Sequence, residues 1–115
     1  MVRGEIYFVD LSPRSGSEQS GHRPCVIVSH AAFTENPRWQ SVTVVPLTTA
    51  DRWQRFSPTT VRFEAGESNL PRACAALAHQ ITTLDKSKVV TPPVGAVTGP
   101  KLLELEEAIR NYLVL

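Results

Sequence analysis

Residues 5–29 read EIYFVDLSPRSGSEQSGHRPCVIVS, two apolar stretches joined by a polar loop. Residues 5–11 are rich in β-branched and aromatic side chains that partly alternate with polar ones, which predicts a first strand. Residues 24–29 form a continuous apolar run, which predicts a central strand with its proline tolerated at the start. Residues 12–22 are polar and rich in turn formers. This stretch therefore predicts a strand–loop–strand unit.

The chain beyond residue 30 continues with short strands. After a mixed connection over 31–41, residues 42–47 predict a third strand, in which Pro46 indicates an edge strand or an irregular end. Further along we predict a loop over 48–58, a strand over 59–64 and a turn over 65–72, AGESNLPR. The alanine-rich residues 73–82 suit a helix by composition, but their shortness and the turns around them favour a strand. We then predict a short helical turn over 83–89 capped by Thr83 or Asp85, and an extended segment over 90–97.

The C-terminal residues predict a helix that begins around Thr98-Gly99-Pro100, where the proline suits the first helical turn. Its apolar stripe, at helical spacing and widened by Leu103 and Val114, consists of Leu102, Leu105, Ile109, Tyr112 and Leu113. Core packing is the stronger explanation for this stripe. Several strands followed by one helix predict a mainly β fold, a small antiparallel barrel-like sheet with a helix packed on it.

Length and composition limit the classes of protein that the chain fits. Its 115 residues, 42% of them hydrophobic and 20% charged, suit one soluble domain over residues 1–115. We find no membrane-length apolar stretch and no secretory leader, so we expect a cytoplasmic protein without a membrane partner. A net charge of +1 argues against a protein that coats nucleic acid. Neither the two cysteines nor the three histidines have metal-ligand spacing, so we expect no metal or cofactor.

The loop over residues 16–24, GSEQSGHRP, carries more chemistry than a turn requires. Ser17 offers a hydroxyl, whereas Glu18 and Gln19 can contact a base edge or tie down the loop. Arg23 precedes a proline, so its backbone is held extended at the start of the second strand. His22 beside it titrates near neutral pH. One alternative stays open, in which Glu18 and Arg23 form only a surface ion pair of little energetic weight.

A second stretch, RWQRF, places Arg52 and Arg55 beside Trp53 and Phe56. Bases of single-stranded nucleic acid stack on aromatic rings while guanidinium groups meet phosphates, so this composition is typical of such binding. The alternative is that both rings fold back as core or dimer contacts.

Four stretches of the sequence occur together in one known family. They are RGEIYFVDLSP from Arg3, GSEQSGHRPCVIVS from Gly16, VVPLTT from Val44 and ALAHQITTLDK from Ala76. Over nearly its whole length the chain thereby resembles the MazF/PemK toxins of type II toxin–antitoxin modules. The resemblance implies an SH3-like barrel with a C-terminal helix, the CcdB/Kid/PemK-like toxin fold, which works as a homodimer.

The same resemblance implies an activity and its partners. The family cleaves single-stranded RNA, mRNA above all, at specific sequences without a metal, and thereby inhibits translation and growth. The expected partner is a cognate antitoxin, an acidic and partly disordered segment that folds onto the dimer and competes with RNA.

The resemblance also carries catalytic roles onto individual residues. The family's catalytic arginine falls on Arg23 and its threonine on Thr48, and Ser17 belongs to the loop that lies against the RNA. In this reaction the RNA 2′-OH attacks its neighbouring phosphate and leaves a 2′,3′-cyclic phosphate and a 5′-OH end. The protein must hold this geometry and stabilise the charge on the phosphate oxygens, which suits a fixed guanidinium and two hydroxyls.

Other positions are expected to contact RNA or to move protons. Gln80 matches a family glutamine near the nucleotide, and His79 stands at a position that is often acidic in the family. The expected RNA-binding residues are Glu18, Gln19, His22, Arg52, Trp53, Arg55 and Gln80. Because arginine is a poor base near neutral pH, we assign Arg23 an electrostatic role. His22 is then the expected proton shuttle, and Glu18 is the other candidate base.

Two other functions stay open at this point. CcdB-type inhibitors of DNA gyrase share the barrel and the dimer, but they typically end in Trp-Gly-Ile, whereas this chain ends NYLVL. The second is a non-catalytic module that binds RNA or protein. Retention of Arg23, Thr48 and Ser17 together argues against the loss of catalysis.

Overall fold

Seven β-strands and two α-helices make up the chain, and a computed structural model describes all 115 of its residues. The strands are β1 (Glu5–Asp10), β2 (His22–Ile27), β3 (Ser41–Thr48), β4 (Thr60–Phe63), β5 (Cys74–Leu77), β6 (Thr82–Asp85) and β7 (Val89–Ala96). The helices are the single-turn α1 (Ala31–Thr34) and the long α2 (Gly99–Leu113). The predicted mainly β fold with a C-terminal helix is confirmed. The single turn of α1, which lies within the predicted mixed connection, was not foreseen.

All strand pairs are antiparallel, in the order β4-β5-β3-β2-β1-β7, with β6 paired to the first half of β3. No ladder joins the two outer strands, β4 and β7. They are instead bridged by the 3-10 turn Glu67–Asn69, whose Asn69 Nδ2 donates to the carbonyl oxygen of Val94 on β7 at 2.9 Å. At Gly95 a Cβ would collide with the carbonyl oxygen of Ser68, so only glycine allows this close approach. We call this contact between the turn and β7 the seam.

Pro24 in β2 and Pro46 in β3 lie where the sheet can tolerate them. β2 begins at His22, two residues earlier than predicted, and Pro24 lies just before the first β2–β3 pair, Cys25 with Pro46. Of the two alternatives predicted for Pro46, an edge strand or an irregular end, the edge strand is wrong, because β3 has neighbours on both sides. Pro46 lies instead where β3 passes from β6, which pairs up to Val44, to β5, which pairs from Leu47. The missing N–H therefore coincides with a break in the pairing.

Residues 73–82, predicted as one strand, contain β5, a 3-10 turn and the first residue of β6. β5 ends at Leu77, the 3-10 turn Ala78–Gln80 follows, and β6 then pairs with a different part of β3. The helical turn predicted over 83–89 is confined to residues 86–88. Asp85 caps it, accepting the Ser87 N–H at 2.8 Å, whereas Thr83 lies within β6.

The hydrophobic core has two parts, one on each face of the sheet. The larger part lies beneath α2, where Leu105 and Ala108 are buried and Leu102 and Ile109 pack at the margin. Truncating a buried side chain such as Leu105 to alanine is expected to cost about 2–5 kcal/mol of stability. The smaller part lies on the opposite face and includes Tyr7 and Val9 of β1.

The apolar stripe of α2 is narrower than predicted. Leu103 is exposed because it lies off the helix face that carries Leu105, and Val114 is exposed because it follows the last helical residue in the left-handed region. Tyr112 and Leu113 are each about half exposed. Neither helix has the length and apolar character needed to cross a lipid bilayer.

Candidate nucleic-acid interface and catalytic pocket

A pocket of about 270 Å³ lies beside the seam, where β1, β2, β3 and β7 meet the segment that leads into β5. Its lining consists of Phe8, Arg23, Pro24, Leu47, Thr48, Thr49, Asn69, Leu70, Pro71, Arg72, Cys74 and Val94. Two arginines and two threonines stand among apolar side chains, and the lining contains no carboxylate. A cationic pocket without acids suits an anionic ligand such as a phosphate.

Arg23 and Thr48 come together in this pocket because β2 and β3 are adjacent and antiparallel. The start of β2 therefore lies beside the end of β3. The guanidinium of Arg23 donates through Nε to the carbonyl oxygen of Ser20 at 2.9 Å and pairs with no carboxylate. The hydroxyl of Thr48 accepts the Ala50 N–H at 3.2 Å, which leaves its own proton free to donate. The two residues to which the resemblance assigns catalytic roles therefore line one pocket.

The polar loop over residues 12–21 is held in place by Gln80. The Gln19 N–H donates to Oε1 of Gln80 at 2.8 Å, and Nε2 of Gln80 donates to the carbonyl oxygen of Ser17 at 2.9 Å. The Ser17 hydroxyl makes no hydrogen bond and does not line the pocket. The structure thus brings Arg23 and Thr48 together but not Ser17, and it uses both polar atoms of the Gln80 amide to hold the loop.

Glu18 is engaged by a different arginine from the one considered in the sequence. Its Oε2 accepts from Nε of Arg14 at 2.8 Å, so the Glu18–Arg23 ion pair is not formed. The hydrogen bond from Arg14, with a further one from the Ser15 backbone, lowers the pKa of the Glu18 carboxyl below its ordinary value. A carboxylate with a lowered pKa is a weaker base, which disfavours Glu18 as the group that accepts a proton.

His22 is exposed at the first position of β2, where it pairs in register with Asp10. His22 does not line the pocket that contains Arg23 and Thr48. This placement disfavours His22 as a proton shuttle at the phosphate that Arg23 would bind.

The RWQRF segment is only partly available to a ligand. Trp53 stacks against His79 with ring centroids 4.8 Å apart, and its Nε1 is buried without a hydrogen-bond partner. Arg52 lies over the Trp53 ring, 5.6 Å from its centroid. By contrast Arg55 is exposed, and Phe56 is 85% exposed. The ring that is free to stack on a base is therefore Phe56.

His79, at the position that is often acidic in the resembled family, serves in packing. It lies between Trp53 and Tyr112, whose ring centroid is 6.2 Å from its own. Burial lowers the pKa of His79 below its ordinary value, which favours the neutral ring.

Apart from Arg23 and Thr48, the residues that line the pocket were not predicted as site residues from the sequence, and among them are Phe8, Asn69, Arg72 and Val94. Asn69 and Arg72 belong to AGESNLPR, which reads as an ordinary turn, and the seam that brings Val94 beside them is a long-range contact. Cys74 also lines the pocket, but burial raises the pKa of its thiol to about 11, so it is not a thiolate near neutral pH. No cluster of three or more His, Cys, Asp or Glu side chains is arranged to hold a metal ion.

Comparison with known proteins agrees with this fold and sequence pattern. Endoribonuclease MazF9 of Mycobacterium tuberculosis is 36% identical over 119 residues, covering 100% of this chain and 98% of the relative. Endoribonuclease EndoA of Bacillus subtilis is 31% identical over 113 residues, covering 98% of this chain and 94% of the relative. A solved endoribonuclease in complex with its cognate antitoxin, from a mycobacterial species, superposes with a TM-score of 0.77 at 28% identity, covering 100% of this chain and 96% of that one.

The MazF structure from Deinococcus radiodurans supports the fold alone, with a TM-score of 0.81 at 21% identity over 100% of this chain and 97% of that one. The resemblance stated from the sequence is thereby confirmed. A family model for the PemK-like, MazF-like toxin of type II toxin–antitoxin systems matches residues 2–113, and the chain belongs to that family.

Proposed function

We propose that the chain is the toxin of a type II toxin–antitoxin module, a sequence-specific endoribonuclease that cleaves single-stranded RNA, with mRNA as the expected target. Family membership and the names of its relatives support the activity. The observation that carries the assignment of the site is the acid-free pocket in which Arg23 and Thr48 stand together.

The proposed chemistry is an internal transesterification that uses no metal. The 2′-oxygen forms a bond to the adjacent phosphorus while the bond from phosphorus to the 5′-oxygen breaks. The 2′-OH proton passes to a base, and the departing 5′-oxygen takes up a proton. Arg23 stabilises the charge on the non-bridging oxygens, and Thr48 donates a hydrogen bond to them. Ser17 is proposed as a further hydroxyl donor, which requires RNA or a second subunit to draw its loop toward the phosphate.

The RNA-binding proposal keeps the residues named from the sequence and divides them by placement. Exposed side chains that can contact RNA directly are Glu18, His22, Arg52 and Arg55, together with the half-buried Gln19. Trp53 and Gln80 act through the segments that they hold. His22 and Glu18 stay the named candidates for proton transfer, although the placement of His22 and the lowered pKa of Glu18 disfavour both. If His22→Ala leaves the pH–rate profile unaltered, the shuttle role is ruled out.

We further infer the setting in which the toxin works. Residues 1–115 form one toxin domain that assembles as a homodimer in the cytoplasm. The partner is a cognate antitoxin with an acidic segment, which orders on the toxin and competes with RNA for the cationic pocket. The related mycobacterial endoribonuclease solved in complex with its cognate antitoxin supports this partner.

The decisive experiment uses purified protein, EDTA and a long single-stranded RNA, with Arg23→Ala as the matched variant. Breaks and their end chemistry are mapped by primer extension. We expect discrete cuts with 5′-OH ends that are blocked by one 2′-deoxy substitution at the cut. In Arg23→Ala the rate should fall by about a hundredfold to a thousandfold or more.

Other outcomes point to the alternative functions. Cuts that persist in Arg23→Ala would overturn the assignment of the pocket. RNA binding without cuts would support a non-catalytic module, and gyrase-dependent DNA breaks on expression would support a gyrase inhibitor.

A further inference from the structure

Arg72 is a second uncompensated cation in the catalytic pocket. It enters the lining from the segment before β5, whereas Arg23 enters from β2. Arg72 is exposed and makes no ion pair and no side-chain hydrogen bond. Several other arginines are neutralised, since Arg3 pairs with Glu106 and Arg110 with Glu107. Arg72 is therefore free to bind an anion that enters the pocket.

The backbone that carries Arg72 is fixed on both sides. Leu70 is buried, two residues before it, and Cys74 is buried two residues after it. Pro71 restricts the chain directly before the arginine. The seam adds a third restraint through the hydrogen bond from Asn69 to β7. A cation on such a short, anchored segment loses little backbone freedom when it binds a phosphate.

Part of the wall of the pocket that holds the two arginines is apolar. Phe8, which is 43% exposed, Leu70 and Val94 all line the pocket, and the volume of about 270 Å³ lies just below the range of small-molecule sites. A cation beside an apolar wall matches a nucleotide, whose phosphate is anionic and whose base has an apolar face. The pocket has room for one such unit rather than for a stretch of RNA.

We infer that Arg72 binds a phosphate next to the scissile phosphate, and that the base of the nucleotide between these two phosphates packs against Phe8, Leu70 and Val94. The inference rests on the proposed function, because it places the scissile phosphate at Arg23 and Thr48. Arg72 is then a substrate-binding residue that sets the register of the RNA in the pocket.

The test compares Arg72→Ala with Arg38→Ala, a matched control. Arg38 is exposed, makes no side-chain hydrogen bond or ion pair and does not line the pocket, so its loss removes the same charge at a remote place. The probe is a single-stranded RNA made uncleavable by 2′-deoxy substitution at the mapped cut. Binding is measured at several salt concentrations. For Arg72→Ala we expect affinity to fall about tenfold or more, and the slope of log K against log salt to shrink by about 0.7.

A second comparison locates the phosphate. Two RNAs each carry one uncharged methylphosphonate, in place of the phosphate on one side or on the other side of the scissile phosphate. One of the two should bind wild-type protein more weakly than the unmodified RNA does. The affinity of Arg72→Ala should not change with that methylphosphonate. Such coupling between the loss of the side chain and the loss of the charge is expected for a direct contact. Arg72→Lys keeps the charge, so it should retain the salt slope. An abasic nucleotide between the two phosphates should weaken binding to wild-type protein.

The outcomes separate this inference from the proposed function. If wild-type protein cuts RNA and Arg23→Ala does not, while Arg72→Ala behaves as Arg38→Ala does, only the role of Arg72 is overturned. If Arg72→Ala loses affinity but stays fully sensitive to both methylphosphonates, the phosphate contact is overturned. If wild-type protein does not cut RNA, the proposed function fails first. A thermal midpoint equal to wild type confirms that Arg72→Ala is folded.

Discussion

The pocket at the seam and the segment over residues 51–56 both read as RNA-binding in chemical terms, yet the fold treats them differently. In the pocket, Arg23 and Arg72 face no carboxylate, and Thr48 keeps a proton to donate. In the segment, Trp53 is stacked on His79 and Arg52 lies over the Trp53 ring. The pocket presents free groups, whereas the segment uses Trp53 and Arg52 in internal contacts and leaves Arg55 and Phe56 exposed.

Amino-acid composition therefore predicts the chemistry of a binding region but not which of its groups are free to bind. A guanidinium next to an aromatic ring can bind RNA in one conformation, whereas in another it lies over the ring in a cation–π contact. What separates the two regions is the backbone. Strand ends fix the pocket residues at the surface, while a single 3-10 turn at Asp51–Trp53 lets the tryptophan fold back on its neighbours.

The largest effect is expected in the pocket, for Thr48→Val, which replaces the hydroxyl with a methyl group. Loss of one well-placed donor should lower kcat by about a hundredfold to a thousandfold. Stability should fall by about 0.5–1.5 kcal/mol, because the Ala50 N–H loses its acceptor. Thr48→Ser keeps a hydroxyl and is the control for both cleavage kinetics and thermal melting. Cleavage by Thr48→Val at a rate close to that of Thr48→Ser would remove Thr48 from the chemistry.

The next largest effect divides the two rings of the segment. Phe56→Ala should leave stability unchanged and weaken RNA binding by about 1–3 kcal/mol, the usual worth of one stacked base. Trp53→Ala should do the reverse. It should lower the free energy of unfolding by about 1–3 kcal/mol, less than the about 3–5 kcal/mol of a fully buried aromatic residue. Denaturant melts and titrations with uncleavable RNA measure the two quantities. Equal losses of affinity in both variants would show that the segment binds as one unit.

Much of the fold could be predicted because it depends on local pattern. Alternating and continuous apolar runs predicted most of the strands, and the order of strands followed by a helix predicted the architecture. The meeting of Arg23 with Thr48 follows from two neighbouring antiparallel strands. The resemblance to a family supplied their roles, which the spacing of residues alone did not.

The remainder depends on contacts that no local pattern encodes. Arg72, Asn69 and Val94 come together through the seam, where a turn substitutes for a ladder between outer strands. The split into β5 and β6 was missed because an alanine-rich stretch reads alike in strand and helix, and its end is set by pairing with β3. Pro46 was misjudged because a break in pairing inside a central strand looks like an edge in the sequence.

A smaller effect is expected at Gln80, which links the loop to the body of the molecule. Gln80→Met keeps the length of the side chain but removes both hydrogen bonds, to the Gln19 N–H and to the Ser17 carbonyl. At about 1 kcal/mol for each bond, the ordered loop should lose about tenfold to thirtyfold in relative population. Hydrogen exchange at the Gln19 amide measures the population of the ordered loop directly. RNA affinity should fall by no more than the same factor. Gln80→Glu retains an acceptor for that amide but loses the donor to the Ser17 carbonyl, so its protection should lie between those of wild type and Gln80→Met. Unchanged exchange in Gln80→Met would mean that other contacts hold the loop.

The smallest expected effect is a pH dependence of stability that arises from His79, which packs against Trp53. Burial lowers the pKa of His79 in the folded state, so the unfolded chain takes up a proton near its ordinary pKa of about 6.5, where folded His79 is still neutral. Stability that is present above about pH 6.5 is therefore lost as the pH falls through the lower folded pKa. His79→Gln cannot take up this proton, so its loss of stability below pH 6.5 should be smaller than that of wild type. Thermal midpoints measured between pH 7.5 and pH 5 report the difference. Parallel curves for the two proteins would mean that His79 is protonated as easily in the fold as in the unfolded chain. The stack with Trp53 and Tyr112 would then be open to water, and the segment would regain the availability to RNA that its composition suggests.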